Sequence, residues 1–461
     1  MKVLFAHLLS ALLLAHCTRV APPETSDASN ELVIYDVNVL TMLDDRVLPD
    51  RAVVVADGRI SRVVPMDQVD TADFAEVIDG RGQYLLPGLA EMHAHIPHPD
   101  EAGDDRIEET LFLYLANGIT TVRGMLGHPA HLELRRAVAE GSVLGPRIFT
   151  SGPSLNGNTV QTPEEARTKV RAQQEAGYDF LKIHPGIQRE VFDTLVATAN
   201  AVGIDFAGHV PVDVGIRHAL SLQYASIDHV DGYLEGLVPE SAGVNPAENG
   251  FFGYNFAPLI DLDLLPELIR LTEENRVWVV TTESLFTRWA SPEPAEVYLR
   301  DPEMKYMPGR TLLSWRQNKT NLITAPGYTR EQWEQMMATR REIIRRLNET
   351  GLLLLGSDAP QVFNVPGFSI HHEIDALQAA GLSAYDILRM GTVHPAQYFD
   401  RAGEFGTVEP GASADLMLVS GNPLEDMDHL QHPAGVMIRG RWLDQDFLEA
   451  GLEGIAVGVG E

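Results

Sequence analysis

The sequence predicts an α/β fold, a (β/α)₈ TIM barrel carrying a small β-sandwich domain built from both termini. Between Pro87 and Tyr398, eight short apolar strands alternate with helical stretches, the pattern of βα units around a parallel sheet. Short β runs with tight turns precede that stretch and recur after it. The chain has 461 residues, of which 44% are hydrophobic, enough to fill one large barrel and a satellite domain.

Taken in order, residues 1–17 read as an export signal: Lys2, then an apolar run through Leu8, Leu9, Leu12, Leu13 and Leu14. That run is too short to stay in a bilayer as a spanning helix. Leu14-Ala-His-Cys17 resembles a bacterial lipoprotein processing site, although His16 stands where a small residue is expected. The reading is a periplasmic or outer-membrane-anchored protein, tethered through lipidated Cys17 or released by cleavage. Cys17 is the only cysteine, so an internal disulfide and a thiolate zinc site are both excluded. Residues 18–30, rich in Pro, Ser, Thr and Asp, read as a flexible tether.

Residues 31–86 supply the first part of the sandwich, with β runs at 32–35, 37–41, 52–56 and 60–64 and a tight turn at Ala56-Asp-Gly-Arg59. Residues 400–461 supply the second part, at 415–419 and 436–442, with a C-terminal tail. The barrel occupies 87–399. Its strands are placed near 89–95, 120–123, 147–152, 180–184, 204–209, 225–229, 277–282 and 352–357. Helices are expected at Pro163–Glu175, Arg189–Ala201 and Arg330–Thr350, the last with Thr329 as N-cap. The connections 229–277 and 282–352 are long and lie on the face where such barrels build active sites, which makes them lid candidates.

The formal charge of -30, from 65 acidic against 35 basic residues, excludes nucleic acid and charge-driven binding to anionic membranes. The partner expected is a small-molecule substrate, with a homo-oligomer left open.

Metal-ligating residues fall at the strand ends: His93 and His95, Lys182, His209, His229 and Asp358. Side chains alternate along a strand, so His93 and His95 point to one side and can chelate one cation. Lys182 discriminates between readings, because an ammonium aimed at two divalent cations is repelled. Desolvation and nearby cations lower a lysine pKa, and the neutral amine can add carbon dioxide to give an anionic carbamate. Two cations set against Asp358, that carbamate and one hydroxide leave a small positive excess, suited to polarising a carbonyl.

The motifs Pro87-Gly-Leu-Ala-Glu-Met-His-Ala-His95, Gly118-Ile-Thr-Thr-Val-Arg123, Gly145-Pro-Arg-Ile148, Gly208-His-Val210, Asp228-His229, Gly356-Ser-Asp-Ala-Pro360 and Gly406-Thr-Val-Glu-Pro-Gly-Ala-Ser-Ala-Asp-Leu416 together resemble the amidohydrolase superfamily, in its imidazolonepropionase-like and prolidase-like branch. The resemblance runs from about Glu31 onward. It implies a binuclear centre, most often Zn²⁺, in which His93, His95 and Asp358 hold one metal, His209 and His229 the other, and carboxylated Lys182 bridges them. A metal-bridging hydroxide then attacks the carbonyl while Asp358 shuttles the proton to the leaving amine. The substrate expected is a dipeptide or N-acyl amino acid.

Weaker candidates are Tyr233, as donor to the oxyanion, and Asn158, as substrate contact where prolidase-like members often carry a histidine. His184 lies inward but beyond Lys182, and a structural role is the plainer reading. The aromatic run Gly250–Phe256 and the residues Trp289, Tyr298, Tyr306 and Trp315 suit either an apolar lid or ordinary packing. His371-His372-Glu373 reads as supporting structure. The rivals are a deaminase or imidazolonepropionase-type enzyme, disfavoured by Lys182 and by Val-Pro-Val-Asp after His209; a lactonase, esterase or phosphotriesterase on the same centre; and a metal-sequestering envelope lipoprotein.

Overall fold

A computed structural model describes residues 31–100 and 103–460; the expected leader, Cys17 and the tether lie outside the described residues. Strand β1 (Leu32–Leu40) pairs antiparallel with β2 (Val47–Ala56), which turns into β3 (Arg59–Pro65). Asp57 and Gly58 both take positive φ, 50° and 74°, the geometry that lets a two-residue hairpin follow the strand twist. A Cβ on Gly58 would stand 2.8 Å from the carbonyl oxygen of Arg439, so this turn also admits the far end of the chain. Strands β4 (Glu76–Asp79) and β5 (Tyr84–Pro87) run parallel to β1, one along each half of it, on either side of its register shifts.

Eight parallel strands follow: β6 (Leu89–Ala94), β7 (Ile119–Gly124), β8 (Arg147–Thr150), β9 (Phe180–Ile183), β10 (Asp205–Gly208), β11 (Ser226–Asp228), β12 (Trp278–Val280) and β13 (Leu353–Leu354). Each lies where the hydrophobic runs predict it. They pair in chain order as a three-stranded and a five-stranded sheet. Parallel bridges Ser151–Phe180 and Ala94–Ala359 join the two sheets at both seams, giving a TIM-barrel-like arrangement.

The helices between strands start and stop where local chemistry dictates. In Pro163–Ala176 the Thr162 hydroxyl accepts from Glu165 N–H while Glu165 reaches back to Thr162 N–H, and Gly177 ends the helix at φ 84°. Arg189–Val202 stops at Gly203 and buries Val191, Phe192, Leu195, Val196 and Ala199 on one stripe. Arg330–Asn348 is capped by Thr329, whose hydroxyl accepts from Gln332 N–H.

The long connection after β12 builds its own small core. Met304, Tyr306, Met307 and Trp315 pack there with Phe363 and Val365, and Trp289 and Tyr298 lie against it. These four aromatics therefore serve packing rather than an open lid.

The C-terminal strands β14 (Leu416–Val419), β15 (Gly435–Ile438) and β16 (Arg441–Asp444) extend the first sheet from β5, in the order β16-β15-β14-β5-β1-β2-β3. Both termini thus build one β-rich domain around Ile34, Val39, Val53, Leu85, Leu416 and Met437. Asp415 fastens it to the parallel strands. Its carbonyl accepts from Gly88 N–H at 3.0 Å, one carboxylate oxygen from Arg147 at 2.9 Å and the other from Arg439 N–H at 2.7 Å.

Asp415→Ala leaves a half-buried N–H and a guanidinium without their acceptor, and we expect a loss of about 1–3 kcal/mol. The check is a lower urea midpoint with an unchanged m-value.

Candidate metal centre

The strand ends at the mouth do not stay extended. His229 and Asp358 adopt left-handed backbone, with φ of 64° and 61°, and so do the β-branched Val230 and Thr282, at 54° and 48°. Positive φ is a genuine outlier for β-branched residues, and such strain collects where side chains must be aimed. Here it turns His229 and Asp358 inward. Arg340, wholly buried on the helix Arg330–Asn348, donates to the His229 carbonyl at 2.9 Å and to Glu283 at 2.5 Å. Glu91, beneath His93, accepts from the N–H of His93 at 2.9 Å and of Ser357 at 2.8 Å.

The result is an arc of imidazoles. Ring centroids are 5.4 Å apart for His95 and His93, 4.5 Å for His93 and His229, and 4.6 Å for His229 and His209. Asp358 closes it, with one oxygen 2.7 Å from His95 Nε2 and 3.4 Å from His93 Nε2. Its other oxygen lies 3.9 Å from His229 Nδ1. Ligand atoms of His93, His229 and Asp358 all fall within 4.8 Å of one another. Lys182 reaches the same place from below. Its Nζ is 3.4 Å from the Asp228 oxygen that stands 3.3 Å from His93 Nδ1. The structure therefore brings all six expected ligand residues together.

The donor set suits divalent cations. Burial, aided by Lys182, pushes His93 down to about 4, and burial likewise drives His229 well below its ordinary value, so both rings are neutral and able to ligate. Burial alone would raise Asp358, but His93, His95 and Lys182 outweigh it and hold the carboxylate ionised. His93 Nδ1 faces the Asp228 carboxylate at 3.3 Å, which leaves Nε2, 3.4 Å from Asp358, as the nitrogen able to ligate. His209 offers Nδ1 to Asp231 at 3.2 Å, leaving Nε2 for the cluster.

Two residues carry the floor of the site. Asp228 is fully buried and accepts from Arg123 at 2.9 Å and from Ser226 at 3.0 Å on one oxygen, while the other faces Lys182 and His93. Arg123, also fully buried, donates to the Met92 carbonyl at 2.6 Å and to Ser226 and Tyr398 at 2.8 Å. Burial works to raise Asp228, yet Arg123 and Lys182 hold it far below the usual carboxylate range. Burial lowers Lys182, with Asp228 opposing. The motifs contain both residues, but their supporting role was not read from them. The available signal was a charged side chain at an inward strand position.

The remaining candidates separate. Tyr233 needs correction: its hydroxyl is fully buried against Thr272 Oγ1 at 2.6 Å, in the packing between outer helices, and does not face the cluster. Asn158 is exposed on an open groove that His184 also lines. His184 stacks on His209 at 5.1 Å, which brings it beside the centre. In the aromatic run, Phe252 lies over His209 and His229 at 5.8 and 5.3 Å, as a lid residue would. His371 bonds Asn117, His372 bonds Glu303 and Glu373 accepts from Ser284 N–H, all as supporting structure. A second grouping, His98, Asp100 and His128, lacked any sequence pattern. There His128 Nδ1 accepts from Ala130 N–H as a helix cap, so Nε2 keeps its proton toward Asp100 and is not a ready ligand.

Sequence comparison places this geometry. The amidohydrolase family model matches residues 84–239 and 334–443, more than half the chain, and the protein belongs to that family. It is 28% identical over 217 residues to an adenine deaminase of Chelativorans sp., covering 43% of this chain and 35% of that protein. It is 33% identical over 178 residues to an imidazolonepropionase of Saccharopolyspora erythraea, covering 36% of this chain and 44% of that one. The chain thus spans less than half the length of either relative. Among solved structures, a putative prolidase from Bifidobacterium longum has a similar fold, with a TM-score of 0.65 at 23% identity, covering 92% of this chain and 99% of that one.

Asp228→Asn leaves Arg123 buried without its counter-charge, and we expect the metal-free protein to lose about 3–5 kcal/mol. The double variant Arg123→Met, Asp228→Leu should lose less than Asp228→Asn alone in the same urea titration.

Proposed function

We propose that this protein is an exported hydrolase that cleaves the amide bond of a dipeptide or N-acyl amino acid, using two divalent cations, most suitably Zn²⁺. The observation that carries the reading is the convergence of four imidazoles, ionised Asp358 and the buried Lys182 amine on one point at the strand ends. In this reading His93, His95 and Asp358 hold one cation and His209 and His229 the other. Burial lowers the Lys182 pKa and so favours the neutral amine, the form that takes up carbon dioxide; the resulting carbamate would lie between the two sites. Bound cations would supply Lewis acidity and lower the pKa of water at the site.

The chain's own groups do the rest. Asp358 is ionised and almost fully buried, so it can accept the proton of the attacking water and return it to the departing amine. Phe252 excludes solvent from the His209 and His229 face. The left-handed turns at His229 and Asp358 fix both side chains before substrate arrives. The family assignment supports C–N hydrolysis in general, and Lys182 favours the two-metal branch over the mononuclear deaminase type.

Chelation should abolish turnover, and zinc, manganese or cobalt should restore it, reloading being faster with bicarbonate if Lys182 is carboxylated. Full activity in metal-free protein would end this reading. Asp358→Asn should lower kcat by about 10²- to 10⁴-fold with the circular dichroism spectrum unchanged. A side-by-side panel of amides, esters and lactones tests the bond, and a preference for esters or lactones would replace the amide assignment.

A further inference from the structure

Beside the metal centre, the loop after β8 and the loop after β9 enclose an open groove of about 550 Å³, lined by Leu126, Ser154, Asn156, Asn158, His184 and Pro185 together with Gly157 and Gly186. The two loops are built against each other. A Cβ on Gly157 would stand 2.4 Å from the Gly186 carbonyl oxygen, and Gly186 itself has φ 91°. Among the described residues no acidic side chain lines this groove, although the chain as a whole carries a net charge of -30. An anionic group meets little repulsion there.

A relay of hydrogen bonds leads to His184. Asn156 Oδ1 accepts from the N–H groups of Asn158 at 2.9 Å and Thr159 at 3.1 Å, which fixes its amide orientation. Its Nδ2 therefore donates to Ser154 Oγ at 3.1 Å. Ser154 has a single proton, and His184 Nδ1 lies 2.6 Å from its oxygen. We assign the Ser154 hydroxyl as donor to Nδ1, which puts the ring proton on Nε2, on the edge turned from Ser154. The same ring stacks on His209 at 5.1 Å.

Resting on the proposed amide hydrolysis, we infer that His184 is a specificity-determining residue whose Nε2–H binds the free carboxylate of the substrate's amino-acid half in this groove. In a dipeptide or N-acyl amino acid that carboxylate lies one residue from the scissile carbonyl, which matches a donor next to a metal-ligating histidine. Asn156 and Ser154 act through His184 as positioning residues.

The test pairs an N-acetyl amino acid with its uncharged carboxamide, on wild type, His184→Leu, His184→Gln and Ser154→Ala, with metal content measured throughout. We expect His184→Leu to raise KM for the acid about tenfold, with kcat little changed and KM for the carboxamide raised clearly less. His184→Gln, which keeps an N–H near the Nε2 position, should recover most of the loss, and Ser154→Ala should show an intermediate rise. Equal losses on both substrates, loss of metal in His184→Leu, or a ¹⁵N spectrum that places the His184 proton on Nδ1 would each overturn the inference. A wild type that cleaves esters but no amides would instead refute the amide reading. The acid and carboxamide comparison, run on ester analogues, would then still decide the role of His184.

Discussion

Beneath the candidate centre one carboxylate, Asp228, meets the buried guanidinium of Arg123 on one oxygen and faces the Lys182 amine and His93 with the other. Taking an ion pair out of water is costly unless both charges are matched. Here the matching is geometric as well as electrostatic. Arg123 reaches the Met92 carbonyl on β6 and Ser226 on β11, so the same contacts that neutralise charge tie the three-stranded sheet to the five-stranded one. The six ligand residues stand on a floor that is rigid because its charges leave it no other arrangement.

Much of this was legible in the residues. Hydrophobic runs located all eight parallel strands, and Thr329 caps its helix as the sequence led us to expect; the caps at Thr162, Gly177 and Gly203 emerge from the structure. Strand alternation placed His93 and Lys182 inward, and burial agrees for both. What escaped the sequence was tertiary. Tyr233 stands four residues beyond His229, but the chain turns at Gly232, φ 80°, and sends its ring into Thr272. Arg340 gave no signal at all, because its partners, the His229 carbonyl and Glu283, come from the far side of two long connections. His98 and His128 are 4.3 Å apart in space and thirty residues apart in the chain, and only the fold stacks them.

The long connections are not uniform. The segment after β11 sends Phe252 onto the imidazoles, while the segment after β12 buries its aromatics in a separate core with Phe363. The first can influence what reaches the site. The second stabilises the loop that carries Asp358 by packing Val362, Phe363 and Val365 just beyond it. Loop length alone does not separate these roles, because aromatic composition is similar in both.

The order of strands in the terminal domain has a consequence for how the chain is made. Strand β5 finds its partner β14 only after more than three hundred intervening residues, and Gly58 waits for Arg439 across a similar gap. Until the tail emerges, β5 presents an unpaired, apolar edge that a second nascent chain could adopt. Shortening the tail would therefore bare the β5 edge before it disturbed the imidazoles, since β14 is the strand that covers it.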